Sequence, residues 1–567
     1  MNKTLPELCI RAHQLLTQNE LPQAISLYQA VLEKDPAHQE ALHFLGLAYA
    51  QSGEIAKAIE ALERACALEP QAAIFNNLAN AYKQNHQVHE AITHYLKAIA
   101  LEPQYAQAHN NVANLYALQN QYEQALTHYI KATHAAPDFS QAHFNLGLLL
   151  LKNQQLEAAK AQFNNVLTLN PGATEALFYL AVLSLAANEL DEAEKRFNEV
   201  LIQDSEHIES LVNLGVIALK RNENQTAVDY FTKALALNNE HVEARNNLAA
   251  TFMHHDRFEN ALMHYDVLLK KEPSNQEYLY NSGVAQMALG HLNEATLLFE
   301  QVLSQAPHHT PSLSNLAAIH VKLENKQLAQ TYLERVLAIT PDDKISQHQL
   351  HALTGENTTE HIPDYAQNLF NNYALSYDHH MQGTLHYSIP AHISKILHQL
   401  PLLTFAKTLD LGCGTGLTGS VLRESSQLLV GVDIAEKMLA HAREKNIYDV
   451  LVHKELCAFL QEENQHYNLI IAADVFPYFS DLTQLIALVN QHLDAFGYFI
   501  FTTEINETSA WKLEASARFS HAPQYIQELL SNAAFTLIDQ KTIPGRLQQQ
   551  TPLNLMIYVA QKGIVSV

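Results

Sequence analysis

In residues 1–341 apolar positions recur at helical spacing, three and four apart, and the pattern itself repeats. Pro36, Pro70, Pro103, Pro137, Pro171, Pro273, Pro307 and Pro341 stand on a 34-residue grid with one 33-residue step, and Ser205 and Asn239 fill the two remaining points. Twelve residues before each point lies a small residue, from Ala24 and Ala58 through to Ala329, and four residues after that a large one, such as Tyr28, Phe163 or Leu333. That spacing puts the small and the large residue on one helical face, so a neighbouring helix closes on the alanine and wedges against the ring. Leu45-Gly46, Leu78-Ala79, Leu146-Gly147 and Leu214-Gly215 mark the tight crossing on the first helix of each unit. Each unit predicts helix, turn, helix, closed by a residue that ends a helix.

After Pro341 the grid stops. Residues 342–363 read as a linker, most clearly from Thr354 to Pro363, which is polar and rich in turn formers. From Asp364 helical spacing resumes through Leu369, Phe370, Tyr373 and Tyr377, and a further helix is expected after Pro390. Thr408 to Leu411, Leu428 to Val432, Val450 to Val452, Leu469 to Ala472 and Tyr498 to Phe501 are short apolar runs separated by helix-length segments. Such runs predict a buried parallel sheet with crossover helices. Phe535 to Gln540 and Leu553 to Val559 are expected to pair as an antiparallel edge.

Charge narrows the partners. Residues 1–341 carry a formal charge of −14 and the remainder −10. Neither half has the cationic excess that nucleic acid rewards, so no nucleic-acid partner is expected. The four cysteines are far apart, and no run of 18 apolar residues occurs, so neither a metal site, a disulfide framework nor membrane insertion is expected. A reducing cytoplasm is the expected compartment.

The repeat half resembles the tetratricopeptide repeat, in about ten units over residues 5–341. Asn77, Asn111, Asn145, Asn213, Asn247, Asn281 and Asn315 lie two residues before the small residue of each first helix, with Tyr179 in the slot of the sixth unit. A primary amide both donates and accepts, so a row of them suits the backbone of an extended peptide whatever its sequence. The row is similar to that inside the repeat superhelix of O-linked N-acetylglucosamine transferase. The competing reading is hydrogen bonding within the repeat stack.

In the second half, Asp410-Leu411-Gly412-Cys413-Gly414-Thr415-Gly416 closes the first predicted strand. Glycines there let the chain turn sharply and a ligand touch backbone. Asp433 closes the second strand, Glu455-Leu456 follows the third and Asp474 the fourth, all at the carboxyl edge where open α/β sheets bind ligands. Residues 364–567 thereby resemble a class I S-adenosylmethionine-dependent methyltransferase. The fold expected is a multidomain chain: an all-α tetratricopeptide solenoid followed by an α/β, Rossmann-like class I methyltransferase domain.

The resemblance implies S-adenosyl-L-methionine as cofactor. Asp410, Gly412, Gly414 and Gly416 then form its loop, Asp433 takes the ribose hydroxyls, Ile434 and Met438 pack beside the adenine, and Glu455, Leu456 and Asp474 complete the edge. Residues 365–390 look like the entry helices of repeat-bearing methyltransferases, with Tyr373 and Tyr387 facing the sulfonium or simply packing the lid onto the sheet. Asp474-Val475-Phe476-Pro477-Tyr478 departs from the Asn/Asp-Pro-Pro-Tyr tetrad of enzymes that methylate adenine or glutamine, leaving Tyr478 as a stacking residue. His521 is a candidate base and Arg518 a candidate clamp for a substrate carboxylate, against the alternative that His521 packs the following helix. The expected activity is methyl transfer to a protein or peptide held in the repeat groove. A small metabolite, lipid or glycan acceptor, or a non-catalytic scaffold, are the alternatives.

Overall fold

A computed structural model of the chain describes residues 4–358, 362–402, 404–548 and 551–563. It divides into two compact units, Met1–Thr251 and Phe252–Val567. Ten helix pairs, from α1 (Leu5–Thr17) to α20 (Lys326–Ile339), follow the grid. The paired positions do what their spacing predicts: Ala159, Phe163, Ala193 and Phe197 have no exposed surface. Gly147 on α9 (Ser140–Lys152) meets Phe163 on α10 (Leu156–Leu169) so closely that an added Cβ would lie 2.7 Å from Phe163 Cε1. Between the helices of a pair one residue turns to a left-handed conformation, as at Asn120 (φ 58°), Gln154 (59°), Asn188 (61°) and Asn222 (60°). This turn keeps the 34-residue step although glycine rarely fills it.

In the second unit one more helix, α21 (Lys344–Thr354), occupies much of the segment read as a linker. Thr359, Glu360 and His361 of that segment lie outside the described residues. The buried His348 of α21 reaches the Ala517 carbonyl at 3.0 Å. Asn357 Nδ2 donates to the Trp511 carbonyl at 3.1 Å, and its Oδ1 accepts from Leu513 N at 2.9 Å. Ala352, Leu513, Ala517 and Phe519 share a small core. The helix after the last repeat is therefore built into the sheet domain.

That domain opens with α22 (Pro363–His379), a π-helical turn (His380–Thr384) and α23 (Ile389–Leu397). Strands β1 (Phe405–Leu411), β2 (Ser426–Asp433), β3 (Val450–His453), β4 (Tyr467–Ala472) and β5 (Leu493–Ile505) lie in the order β3-β2-β1-β4-β5, all parallel. The intervening helices are α24 (Gly419–Leu422), α25 (Glu436–Glu444), α26 (Leu456–Glu462) and α27 (Thr483–His492). After β5 come β6 (Trp511–Leu513), β7 (Phe519–His521) and α28 (Pro523–Asn532). The expected edge is present: β8 (Phe535–Gln548) pairs antiparallel with β9 (Thr551–Lys562), and β9 with β5. β6 and β7, three residues each, are too short to show an alternation and escaped the sequence reading.

Candidate functional site

β1 runs into a turn in which Gly412, Gly414 and Gly416 hold φ of 71°, 55° and 87°, all in the region that glycine enters freely. At Gly412 the space is also closed, since a Cβ would lie 2.4 Å from Val475 Cγ2. The Asp433 carboxylate sits against this turn. Its Oδ2 accepts from Gly414 N and its Oδ1 from Ala435 N, each at 2.8 Å. A carboxylate offers about four lone-pair sites, so Asp433 is locked in place and each oxygen keeps capacity for a further donor.

These residues line a cavity enclosing about 640 Å3 of atom-free space, part of it open to solvent. Gly412, Gly414 and Asp433 form one wall, and Ile434, Met438 and Leu456 give it an apolar side. Glu455 is also at the wall, but it caps α26, its Oε2 accepting from Ala458 N at 2.7 Å. Asp474, Val475, Tyr478 and Phe479 from the segment after β4 also line it, Val475 directly beside Gly412. The lid helix α22 adds Ala366, Phe370 and Tyr377, with Phe370, Ala374 and Tyr377 packed against Ala435 and Met438. Asp378 fastens the lid to the glycine turn: Thr415 Oγ1 donates to its Oδ1, and Lys445 Nζ reaches its Oδ2 at 2.5 Å.

Beside the cavity four buried charges meet. Asp474 Oδ1 accepts from Arg518 Nη2 at 2.5 Å and Oδ2 from Arg546 Nη1 at 2.7 Å. Glu504 Oε1 lies 2.7 Å from Arg518 Nε and 3.3 Å from Arg546 Nη2. Arg518 Nη1 donates to the Tyr478 hydroxyl at 2.8 Å. Burial pushes the Tyr478 phenol up, opposed by the two arginines, so it stays protonated at neutral pH.

Other expected residues lie elsewhere. Asp410 is buried beneath the turn, where its Oδ2 accepts from Tyr448 OH at 2.7 Å; among the described residues Oδ1 has no hydrogen-bond partner. Burial pushes this carboxyl up to about 7, with the Tyr448 bond opposing. Gly416 borders Tyr448 rather than the cavity. Tyr373 bonds His380, and Tyr387 packs in the core below α23, so the lid tyrosine that lines the cavity is Tyr377. His521 is fully buried, with Nε2 2.9 Å from the Ser480 carbonyl. Burial lowers its pKa to about 4, and it does not line the cavity. Arg518 is committed to Asp474, Glu504 and Tyr478.

Along the asparagine row several amides tie consecutive repeats together. Asn77 Nδ2 lies 2.8 Å from His43 Nε2, Asn111 donates to Asn76 at 3.2 Å and Asn145 to Asn110 at 2.9 Å. Asn213 donates to the Glu209 carbonyl of its own helix at 2.8 Å, and Asn281 to Tyr265 OH at 3.1 Å. Asn315 bonds Tyr280, and Asn247 is half-buried.

Tyr448 and Arg546 were missed by the sequence reading, and Tyr377 was placed on the entry helix but given no role at the site. Tyr448 alone left a trace: an added Cβ at Gly416, Gly419 or Gly431 would lie 3.1, 2.2 or 2.9 Å from its ring or hydroxyl. Three glycines in two separate segments clear the space that this one side chain fills.

Among the described residues there is no helix long and apolar enough to cross a membrane and no cluster of three or more metal-ligating side chains. A methyltransferase-domain family model matches residues 409–499. Tetratricopeptide-repeat models match residues 11–73 and 212–277, residues 150–213 and 286–353, and residues 79–119 and 113–154. Similar curated proteins include a malonyl-[acyl-carrier protein] O-methyltransferase of Bacillus cereus, 31% identical over 147 residues, which is 25% of this chain and 53% of that one. A ubiquinone biosynthesis O-methyltransferase of Pasteurella multocida is 25% identical over 142 residues, 23% of this chain and 59% of its own. The chain thus spans between half and three-fifths of the length of these relatives. Among solved structures, YrrB, a tetratricopeptide-repeat protein with an unusual peptide-binding site, is 27% identical with a TM-score of 0.31, covering 33% of this chain and 96% of its own. The chain is a tetratricopeptide-repeat protein that carries a class I methyltransferase domain.

Proposed function

We propose that this chain binds S-adenosylmethionine in the cavity at the carboxyl edge of the sheet and transfers its methyl group to a protein or peptide captured by the repeats. The observation that carries the first part is the Asp433 carboxylate fixed 2.8 Å from the Gly414 amide at the cavity wall. The donor set fits the cofactor: an acceptor for a diol, a backbone turn free of side chains, and Ile434, Met438 and Leu456 for a flat base. When bound, S-adenosylmethionine supplies a methyl group activated by a sulfonium. The chain's own part is alignment and exclusion of water. Asp433 orients the sugar, Asp474 completes the cofactor edge of the cavity, Tyr377 and Phe370 cover the site from the lid, and Tyr478 faces the acceptor. His521 has no part in the proposed chemistry, because its ring is engaged at Ser480 and buried neutral.

The asparagine row supports peptide capture insofar as each half-exposed amide retains donors or acceptors beyond its bond within the stack. The apolar and aromatic lid side of the cavity favours a second reading, a small acceptor, with the repeats serving only as a docking scaffold. Deletion of residues 1–350 does not separate the two, because it cuts into α21 (Lys344–Thr354), which shares a core with β6 and β7. Point substitution in the full chain does. Methyl-labelled S-adenosylmethionine is added with cell extract, and wild type is compared with Asn111→Ala/Asn145→Ala. Label on a protein that falls in the variant at equal cofactor affinity and melting temperature supports capture; label confined to small molecules contradicts it.

A further inference from the structure

We propose that Arg546, which does not line the cavity, is a positioning residue that holds the Asp474 carboxylate in its working orientation; this rests on the reading of the cavity as the cofactor site. Asp474 follows β4 in a left-handed conformation, φ 58°, with its amide donating to Thr502 Oγ1 at 2.9 Å. Aspartate is one of the few non-glycine residues that enter this region, usually with its short side chain bonded locally; here both carboxylate oxygens are bonded to residues distant in the chain instead. The two carboxylate oxygens are gripped by two different arginines, Arg518 in the residue before β7 and Arg546 on β8. One cation would leave the carboxylate free to turn; two on opposite oxygens fix its plane.

Glu504 completes the balance. Two acids and two arginines meet with side chains 8% to 13% exposed, so the arginines hold carboxylates of the chain itself rather than standing ready for an anionic ligand. Arg546 also lies where β8 is stitched to the lid segment. Ser388 N donates to the Gly545 carbonyl at 3.0 Å, and Leu547 N to the Leu385 carbonyl at 2.7 Å. The residue that sets Asp474 is thus flanked on both sides by bonds to the end of the lid.

Removing Arg546 alone leaves a buried negative charge unpaired, which destabilises any fold whatever the role of the residue. The charge-balanced variant Glu504→Gln/Arg546→Met leaves Arg518 paired with Asp474. Lysine at 546 keeps the charge but cannot span two carboxylates as a planar fork does. Binding of S-adenosylmethionine to the full chain is measured by calorimetry, beside melting temperature, for wild type, Arg546→Lys, Glu504→Gln/Arg546→Met and Asp433→Ala. Positioning predicts wild-type melting in the double variant, with affinity reduced roughly tenfold in both variants at 546, the order of one lost hydrogen bond to a charged group. Wild-type affinity in the double variant and in Arg546→Lys would show that only charge balance matters and overturn the proposal. Absence of binding by wild type overturns the cavity reading itself, and Asp433→Ala separates the two failures.

Discussion

Replacing Tyr448 by Phe removes a single oxygen and leaves the ring in the space cleared by Gly416, Gly419 and Gly431, so no cavity forms. What is lost is the 2.7 Å bond to Asp410 Oδ2. That carboxyl is raised from 3.8 to about 7. The folded chain therefore keeps a proton that the unfolded chain releases. Stability from this group is complete below the unfolded value, falls as pH rises, and is gone above about 7. Removing the Tyr448 donor raises the folded pKa further. At pH 5 Asp410 is protonated with or without the hydroxyl, and the substitution costs only a neutral hydrogen bond, about 1 kcal/mol. At pH 8 a buried carboxylate loses its donor, which costs about 1.5–3 kcal/mol. Trp511 is the only tryptophan and lies in the sheet domain, so its fluorescence during urea unfolding reports that domain apart from the repeats. An equal cost at both pH values, or a larger one at pH 5, would refute the reasoning.

Gly215→Ala places a Cβ 2.5 Å from Phe231 Cε1; overpacking of about 1–3 kcal/mol is expected as a lower urea midpoint for the repeats by circular dichroism, with the Trp511 transition unchanged. The buried neutral His521 falls from 6.5 to about 4. It contributes stability that is complete above pH 6.5 and lost as pH falls toward 4, so His521→Asn flattens the acid limb of the Trp511 transition by up to roughly 3 kcal/mol. Asp378→Ala cuts the lid from Thr415 and Lys445; S-adenosylmethionine is expected to dissociate several-fold faster in stopped-flow chase, and an unchanged rate would show that the lid does not need this latch.

The repeats were legible because every contact they need is set by a short period: Ala159 and Phe163 share a face four residues apart, and the next unit repeats them. The glycine turn and Asp433 were legible for a related reason, since strand ends bring them to one edge. The lid was harder. Tyr373 and Tyr377 are one turn apart on α22 and identical in chemistry, yet only Tyr377 lines the cavity, a distinction set by how the helix crosses α25. Arg546 was invisible, because its partners Asp474, just after β4, and Glu504, on β5, are distant in sequence and nothing local marks a β8 arginine as buried. Helix α21 hid behind the end of the proline grid: its core partners, Leu513 and Phe519, come from β6 and β7.

Calorimetric titration of the full-length protein with S-adenosylmethionine, beside Asp433→Ala, tests the central claim most directly. Saturable one-site binding by the wild type is expected, weakened by about 1.5–3 kcal/mol, the worth of hydrogen bonds to a charged group, in a variant with unchanged melting. No heat of binding with the wild type, or equal affinity in the two proteins, would contradict it.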